Sequence, residues 1–324
     1  MLQNPVVVAV LAGIVAGLLS VSVLSGSLLA LPLFYLTPLP LFIVGLGWGV
    51  INAAIAGLVA GVVVTLLIGG LGGIGFLILF AVPVALITYL ALLWRQSDGQ
   101  SRQEWYPSGS IITWIAAMAG ALAALMVLSV GLDAESYRAN WQEILENMLV
   151  EPLESLGDAA PEGLDAEQIK EFISFMIPAL PALFATIWMA AVVVSLWAAG
   201  RIIDRSGRAL RPWPDTGAMT FPRGMPIAFV ASMAGTLLPG ILGIIAVGFA
   251  GAFITAYIIL GLVVIHVVSR RWSMRSFILA AVYIGLFLVG WIPLIIATIG
   301  IAEPIFDLRK RFSANPPPPA PGAD

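Results

Sequence analysis

Residues 31–57 read LPLFYLTPLPLFIVGLGWGVINAAIAG, and within this apolar run stand Tyr35, Thr37, Trp48 and Asn52. A phenol, a hydroxyl, an indole and a carboxamide are the few polar and aromatic contacts that a small ligand needs in an otherwise greasy pocket. Prolines 32, 38 and 40 remove backbone donors and interrupt helices around them. Inside a bilayer such irregular backbone is tolerated only where it is buried in protein or lines a cavity. Broken helices also mark substrate sites in transporters. The four residues are therefore the candidate ligand site. The competing reading is a proline-rich turn between two spans, with Trp48 and Asn52 packed in a bundle.

The other residues able to do chemistry are few. Glu303, Asp307 and Arg309 lie in GIAEPIFDLRKRF near the end of the last apolar run, where Arg309 could pair with Asp307. An ionisable group within a span is a functional hypothesis by default. The alternative is a helix end that snorkels to the interface. His266 is the one histidine and there is no cysteine, so no thiolate nucleophile, thiolate metal site or paired-histidine zinc motif can be assembled. The glycine-rich GGLGGIG at 69–75 lacks a following Lys-Ser or Lys-Thr and reads as a tight turn, not a phosphate loop. These absences point away from an enzyme, a metal centre or a resident cofactor.

The elements that must position these residues are membrane spans. Of 324 residues, 60% are hydrophobic and 10% charged, against about 25% charged in soluble domains. No Lys, Arg, Asp or Glu precedes Arg95. The expected fold is all-α: a polytopic transmembrane bundle of about 8–10 spans, each of about 20 residues. Apolar runs place them at 5–25, 27–46, 48–68, 74–94, 110–131, 172–199, 226–246, 248–268 and 276–306, the last turned as a hairpin at Gly290–Pro293. The N-terminus lacks a positive flank before its apolar run and reads as a retained first span.

Charge orients the spans. Arg95 and Arg102, then Arg201, Arg205, Arg208, Arg211 and Arg223, then Arg270, Arg271 and Arg275, and last Arg309, Lys310 and Arg311 mark cytoplasmic segments. Segment 132–171 holds eleven acids against Arg138 and Lys170 and is expected outside. Its Tyr137, Trp141, Ile144, Leu145, Met148 and Leu149 recur at helical spacing. That pattern suits an amphipathic helix that caps the bundle, or a solvated connector. The expected division is thus 1–131, an N-terminal transmembrane bundle; 132–171, the acidic extracytoplasmic segment; 172–312, a C-terminal transmembrane bundle; and 313–324, a disordered proline-rich cytoplasmic tail. The location is a bacterial inner membrane. The basic loops are explained by orientation in the bilayer, so nucleic acid is not an expected partner.

Small residues line several helices. AVLAGIVAG brings Ala9, Ala12 and Ala16 to one side with Gly13 and Gly17 beside them, and INAAIAGLVAG repeats the device with Gly57 and Gly61. Small residues four apart let helix backbones approach closely, within a chain or across to a partner.

On TPLPLFIVGLGWGVINAAIAGLVAG the chain resembles the substrate-binding S components of energy-coupling-factor transporters. Ala12 and Ala16 match the Ala-x-x-x-Ala face by which those components dock on a transmembrane partner. The span layout, TFPRGMP and the ending GIAEPIFDLRKRF are similar to the YybS-like family of bacterial membrane proteins, whose last span ends in Gly, an acid and a basic cluster, here Gly300, Asp307, Arg309 and Arg311. The family has no settled activity, so that likeness implies a layout. The S-component likeness implies a subunit that binds or helps move a small molecule, driven by a separate ATPase module. The chain departs from an S component in its larger number of spans and its acidic insertion. The rival expectation is a membrane scaffold that holds partner proteins through its small-residue helix faces.

Overall fold

Long unbroken runs of Leu, Ile, Val and Ala form helices wherever proline and glycine leave them alone. The computed structural model describes residues 4–27, 29–96, 103–156 and 165–313. Seven described helices or helix pairs are long and apolar enough to cross a membrane. The elements are α1 (Pro5–Val21), α2 (Ala30–Tyr35), α3 (Pro38–Trp48), α4 (Val50–Ile68), α5 (Gly70–Phe76), α6 (Val82–Leu92), β1 (Trp94–Gln96), β2 (Gln103–Trp105), α7 (Ser108–Val130), α8 (Ala134–Leu156), α9 (Ala166–Met176), α10 (Leu180–Arg205), α11 (Met225–Gly235), α12 (Ile241–Val268), α13 (Arg275–Leu288), α14 (Ile292–Phe306) and α15 (Leu308–Ser313). The proline-rich tail after Ser313 lies outside the described residues, as do Arg102 and positions 157–164 of the acidic segment.

The chain forms two compact units. The first comprises 1–214 and 221–253, the second 215–220 and 254 onward. Helix α12 contributes its first half to one and its second half to the other.

In the first unit, α1 lies along α4. A side chain on Gly13 would meet the Ala56 carbonyl and Val59, and one on Gly17 would meet Val63 and Ala60. The residue numbers rise together, so the two helices run the same way. Ala9, Ala16, Ala53, Ala56 and Ala60 have at most 1% of their surface exposed along this seam. The opposite side of α4 takes the next span: Gly57 faces Ala81 and Gly61 faces Leu77.

That next span carries a local defect and its repair. Leu77–Ala81 widens into a π-turn ahead of Pro83. In a regular helix residue 83 would donate to the Leu79 carbonyl, and proline has no N–H to give. The Trp188 indole N–H of α10 supplies the missing bond at 2.8 Å. Neighbouring side chains repair freed carbonyls in this way because lipid cannot. Trp188→Phe should keep the packing and orphan Leu79, lowering stability by about 1–3 kcal/mol. Thermal unfolding in detergent would measure it.

A boundary differs from the sequence expectation. The break expected near residue 247 falls at 236–240, where Pro239 and Gly240 (φ +72°) end α11 and start α12. The left-handed turn there suits glycine. In an otherwise helical chain β1 and β2 pair as a two-stranded antiparallel ribbon, with Arg95 opposite Glu104 and joined to it at 2.7 Å. The chain breaks at the expected Gly290–Pro293, with α13 ending at Leu288 and α14 beginning at Ile292, and both helices are shorter than the seven long apolar ones.

Candidate functional site

The four expected ligand contacts are not brought together. Trp48 ends α3 and Asn52 follows in the first turn of α4, while Tyr35 and Thr37 stand just before the start of α3. Ten residue steps at 1.5 Å put about 15 Å between those ends. Tyr35 is 37% exposed, whereas Thr37 is fully buried and its hydroxyl has no hydrogen-bond partner among the described residues. Asn52 donates from Nδ2 to the Trp48 carbonyl at 2.7 Å and so closes the turn at Gly49, whose φ of +96° admits glycine and little else. The prolines and glycines of the opening stretch therefore shape turns at both ends of a short helix. Thr88 and Ser195 share the condition of Thr37, buried and unpartnered. Thr88 presses on α3 at Gly45, where an added Cβ would lie 2.7 Å from its hydroxyl.

Trp48 is engaged by arginine. Arg208 lies 5.2 Å over its ring, Arg201 5.1 Å over Trp213, and Arg211 5.8 Å over Trp105. These are attractive cation–π distances. Arg211 also donates to the Ala91 and Tyr106 carbonyls, each at 2.9 Å. Ala91 is in the last turn of α6, where carbonyls lack helical partners and favour a cation. Burial pushes the Arg211 pKa below its ordinary value. Sequence reasoning assigned these arginines to topology alone; the recurrence of Arg201, Arg205, Arg208 and Arg211 just ahead of Trp213 was the available signal of a clasp.

The small-residue face of α1 is also occupied. Ala16 has no exposed surface, Ala12 is half-buried, and Gly13 and Gly17 are pressed against α4. Ala16 thus packs within the chain, while Ala12 keeps part of its surface exposed.

In the second unit, α14 crosses α12 where Gly300 meets the Tyr257 carbonyl and Gly261 meets that of Ile296. Arg309 pairs with Glu303 and not, as expected, with Asp307. Its Nε donates to Glu303 Oε1 at 2.6 Å, its backbone N–H donates to Oε2 at 3.2 Å, and Nη1 donates to the Gly217 carbonyl at 2.6 Å. The side chains of the pair are only 12% and 5% exposed. Asp307 adopts φ +48°, and this left-handed residue turns the chain so that Arg309 faces back onto α14. Lys310 takes Asp307 at 3.3 Å on the surface. Arg311 is exposed. His266 donates from Nδ1 to the Leu262 carbonyl at 2.8 Å, and its ring lies 5.8 Å from that of Tyr283. Among the described residues no three His, Asp or Glu side chains could hold a metal ion.

The acidic segment holds a cleft. Asp133 caps α8 by accepting from the backbone N–H groups of Glu135 and Ser136, each at 2.9 Å, and from the Ser136 hydroxyl. These bonds hold its carboxyl below the ordinary value. Their contribution is full above the ordinary carboxylate range and fades as pH falls through the depressed value. Tyr137, fully buried, anchors α8 among Val127, Ile173, Ile177 and Ile244, from α7, α9, the turn after it and α12. Burial pushes its hydroxyl up to about 12. Trp141 and Leu145 pack on the same cluster, while Ile144, Met148 and Leu149, expected on that face, are 41%, 66% and 49% exposed. Between α8 and α9 opens a cleft of about 600 Å³ lined by Glu135, Arg138, Ala139, Gln142, Ser174 and Ile177. Gln142 is fixed at both ends of its amide: it donates to Glu146 and accepts from the Ser174 hydroxyl at 3.1 Å. A second crevice, of about 420 Å³, runs between α11 and α12 and is apolar, lined by Leu238, Leu242, Phe249 and Phe253 with Ser232.

Seven long apolar helices, seams of alanine and glycine, and carbonyls repaired by a buried indole define a polytopic helical membrane protein. The chain belongs to the family described as predicted membrane protein (DUF2232), whose model matches residues 9–303. Gly300 falls within that match; Asp307, Arg309 and Arg311 lie beyond it. No curated protein and no solved structure matches.

Proposed function

We propose that the protein is a membrane-embedded binding subunit for a small polar molecule, on the plan of the S components it resembles, and that the α8–α9 cleft holds the molecule. The observation that carries this reading is the cleft itself. Its volume of about 600 Å³ suits a small ligand. A cation, an anion and a fixed amide converge on it, on helices anchored by the buried Tyr137 cluster. The likeness to YybS-like proteins adds a layout and no chemistry.

By the positive-inside rule the segment from Arg201 to Arg211 is cytoplasmic, and the acidic segment, at the other end of α10, faces outward. The cleft then opens extracytoplasmically in a bacterial inner membrane. Movement of the ligand would be driven by a separate ATPase module, docked on a surface other than the covered Ala16 face. A second reading, the scaffold, draws on the same region: Met148, Phe172 and Phe175 are 66%, 61% and 78% exposed there and would seat a partner protein.

A thermal-shift screen of the detergent-solubilised protein against small polar metabolites separates the two. A ligand at a hundred times its Kd should stabilise by about 2.7 kcal/mol. No stabilisation, together with a stoichiometric non-ATPase protein retained on purification, would favour the scaffold. Because the chain has no cysteine, Glu143→Cys and Ser206→Cys report sidedness separately. An impermeant thiol reagent on intact spheroplasts should label the first alone; labelling of the second alone reverses the orientation.

A further inference from the structure

Resting on the cleft reading, we infer that the α8–α9 cleft selects a zwitterion: a small molecule carrying one carboxylate and one ammonium group, as a free amino acid or a short peptide does. Arg138 is the one Lys or Arg of α8. It lies in a segment of eleven acids, yet no carboxylate among the described residues stands within ion-pair distance of it. Glu135, three positions earlier on the same helix, is its natural helical partner. Both line the cleft, and they do not pair with each other. The cleft thus presents a free guanidinium and a free carboxylate side by side. Guanidinium binds carboxylate through parallel N–H donors, and the Glu135 carboxylate accepts from an ammonium.

The neutral groups sharpen the choice. The Gln142 amide is engaged at both its oxygen and its nitrogen, which fixes its orientation in the cleft wall and leaves it one further N–H donor. The Ser174 hydroxyl hydrogen is directed to Gln142 Oε1 at 3.1 Å and to the Lys170 carbonyl at 3.0 Å. What remains on that oxygen is acceptor capacity, which suits an ammonium and not a second carboxylate. Ile177 and Ala139 supply the apolar part of the lining. One donor fork, two acceptors and an apolar wall match one carboxylate, one ammonium and a hydrocarbon body. A purely anionic ligand would leave Glu135 opposed, and a purely cationic one would face Arg138.

The test uses four probes with the full-length protein in detergent, their affinities read by isothermal titration. Leucine and dileucine carry both charges, at short and long separation. 4-Methylpentanoate keeps only the carboxylate and 3-methylbutylamine only the ammonium. A zwitterion should bind, and removing either charge from it should weaken binding about tenfold or more. Arg138→Ala should abolish discrimination between zwitterion and amine, and Glu135→Gln that between zwitterion and carboxylate. Preference for leucine over dileucine, or the reverse, identifies free amino acid or peptide as the source. If 4-methylpentanoate binds as well as leucine and Glu135→Gln changes nothing while Arg138→Ala abolishes binding, the zwitterion class is overturned and the cleft stands. The class also falls if no probe binds while another small molecule is held in a manner sensitive to Arg138→Ala. If a bound small molecule survives both substitutions unchanged, the cleft reading itself is wrong. Both surfaces are exposed, so the variants are expected to fold, with an unchanged thermal transition as the check.

Discussion

Arg309→Ala is expected to lower the stability of the folded protein by about 3–5 kcal/mol, the usual cost of stranding one member of a buried ion pair. Glu303 is 4% exposed, and its two oxygens take Arg309 Nε and the Arg309 backbone N–H. Without the guanidinium, Glu303 would keep a single backbone donor in place of a counter-ion, and the Gly217 carbonyl would lose its bond from Nη1. Arg309→Lys should restore only part of the loss, since an ammonium cannot reproduce a planar fork that serves a carboxylate and a carbonyl at once. Glu303→Leu combined with Arg309→Leu should be milder than Arg309→Ala alone, because it removes both charges from the interior. Lys310→Ala is the control: its pair with Asp307 is 82% and 63% exposed, and its loss should stay within about 0.5 kcal/mol. Thermal unfolding followed by tryptophan fluorescence would rank all four. An Arg309→Ala protein as stable as the Lys310→Ala control would show that the pair carries no stability.

Gly13→Leu is expected to be the most damaging single change in the α1–α4 seam. An added Cβ at Gly13 would lie 2.4 Å from the Ala56 carbonyl oxygen and 2.8 Å from the Val59 Cβ. The nearer atom is backbone, so no rotamer change can relieve the clash and the helices must separate. Overpacking of this kind costs about 1–3 kcal/mol and at times more. Separation would also forfeit the contacts of Ala9, Ala16 and Ala56, all fully buried along the seam. Leu11→Ala, on the 49% exposed side of the same helix, should leave stability nearly unchanged. The readout is the fraction of monodisperse protein on fluorescence-detected size exclusion together with its melting temperature. Equal behaviour of the two variants would mean that α1 does not pack on α4 through its small-residue face.

Much of this architecture was legible in the sequence. The charge-free first 94 residues could only be membrane helices, and the break between α13 and α14 was marked by Gly290 and Pro293. Tyr137, Trp141 and Leu145 were readable as a buried stripe, but the stripe did not continue to Ile144, Met148 and Leu149. Those three lie on faces of α8 turned away from that cluster, a distinction that helical spacing alone does not make. The α11–α12 break was misplaced because both sides of it are apolar, so only Pro239 and Gly240 mark it. The π-turn before Pro83 and its repair by Trp188 were not legible, since 109 residues separate donor and acceptor.

The candidate site was less readable still, for a geometric reason. Tyr35, Thr37, Trp48 and Asn52 look adjacent in sequence, yet a short straight helix separates them into two pairs at its ends. Arg309 looked closer to Asp307 than to Glu303 until the left-handed turn at Asp307 reversed the chain. The cleft between α8 and α9 depends on two helices whose packing sets Ser174 against Gln142, 32 positions apart. The sequence cue available for it was Arg138, a lone cation among the acids of α8.

The central claim is that a small molecule is held in the α8–α9 cleft and not among the broken helices around Pro32–Pro40. Native mass spectrometry of the wild-type protein, Arg138→Ala and Trp48→Ala, each released from mild detergent, tests it most directly. The account predicts a small-molecule adduct on the wild type, retained by Trp48→Ala and lost from Arg138→Ala. An adduct lost from Trp48→Ala and retained by Arg138→Ala would contradict it and return the site to α3.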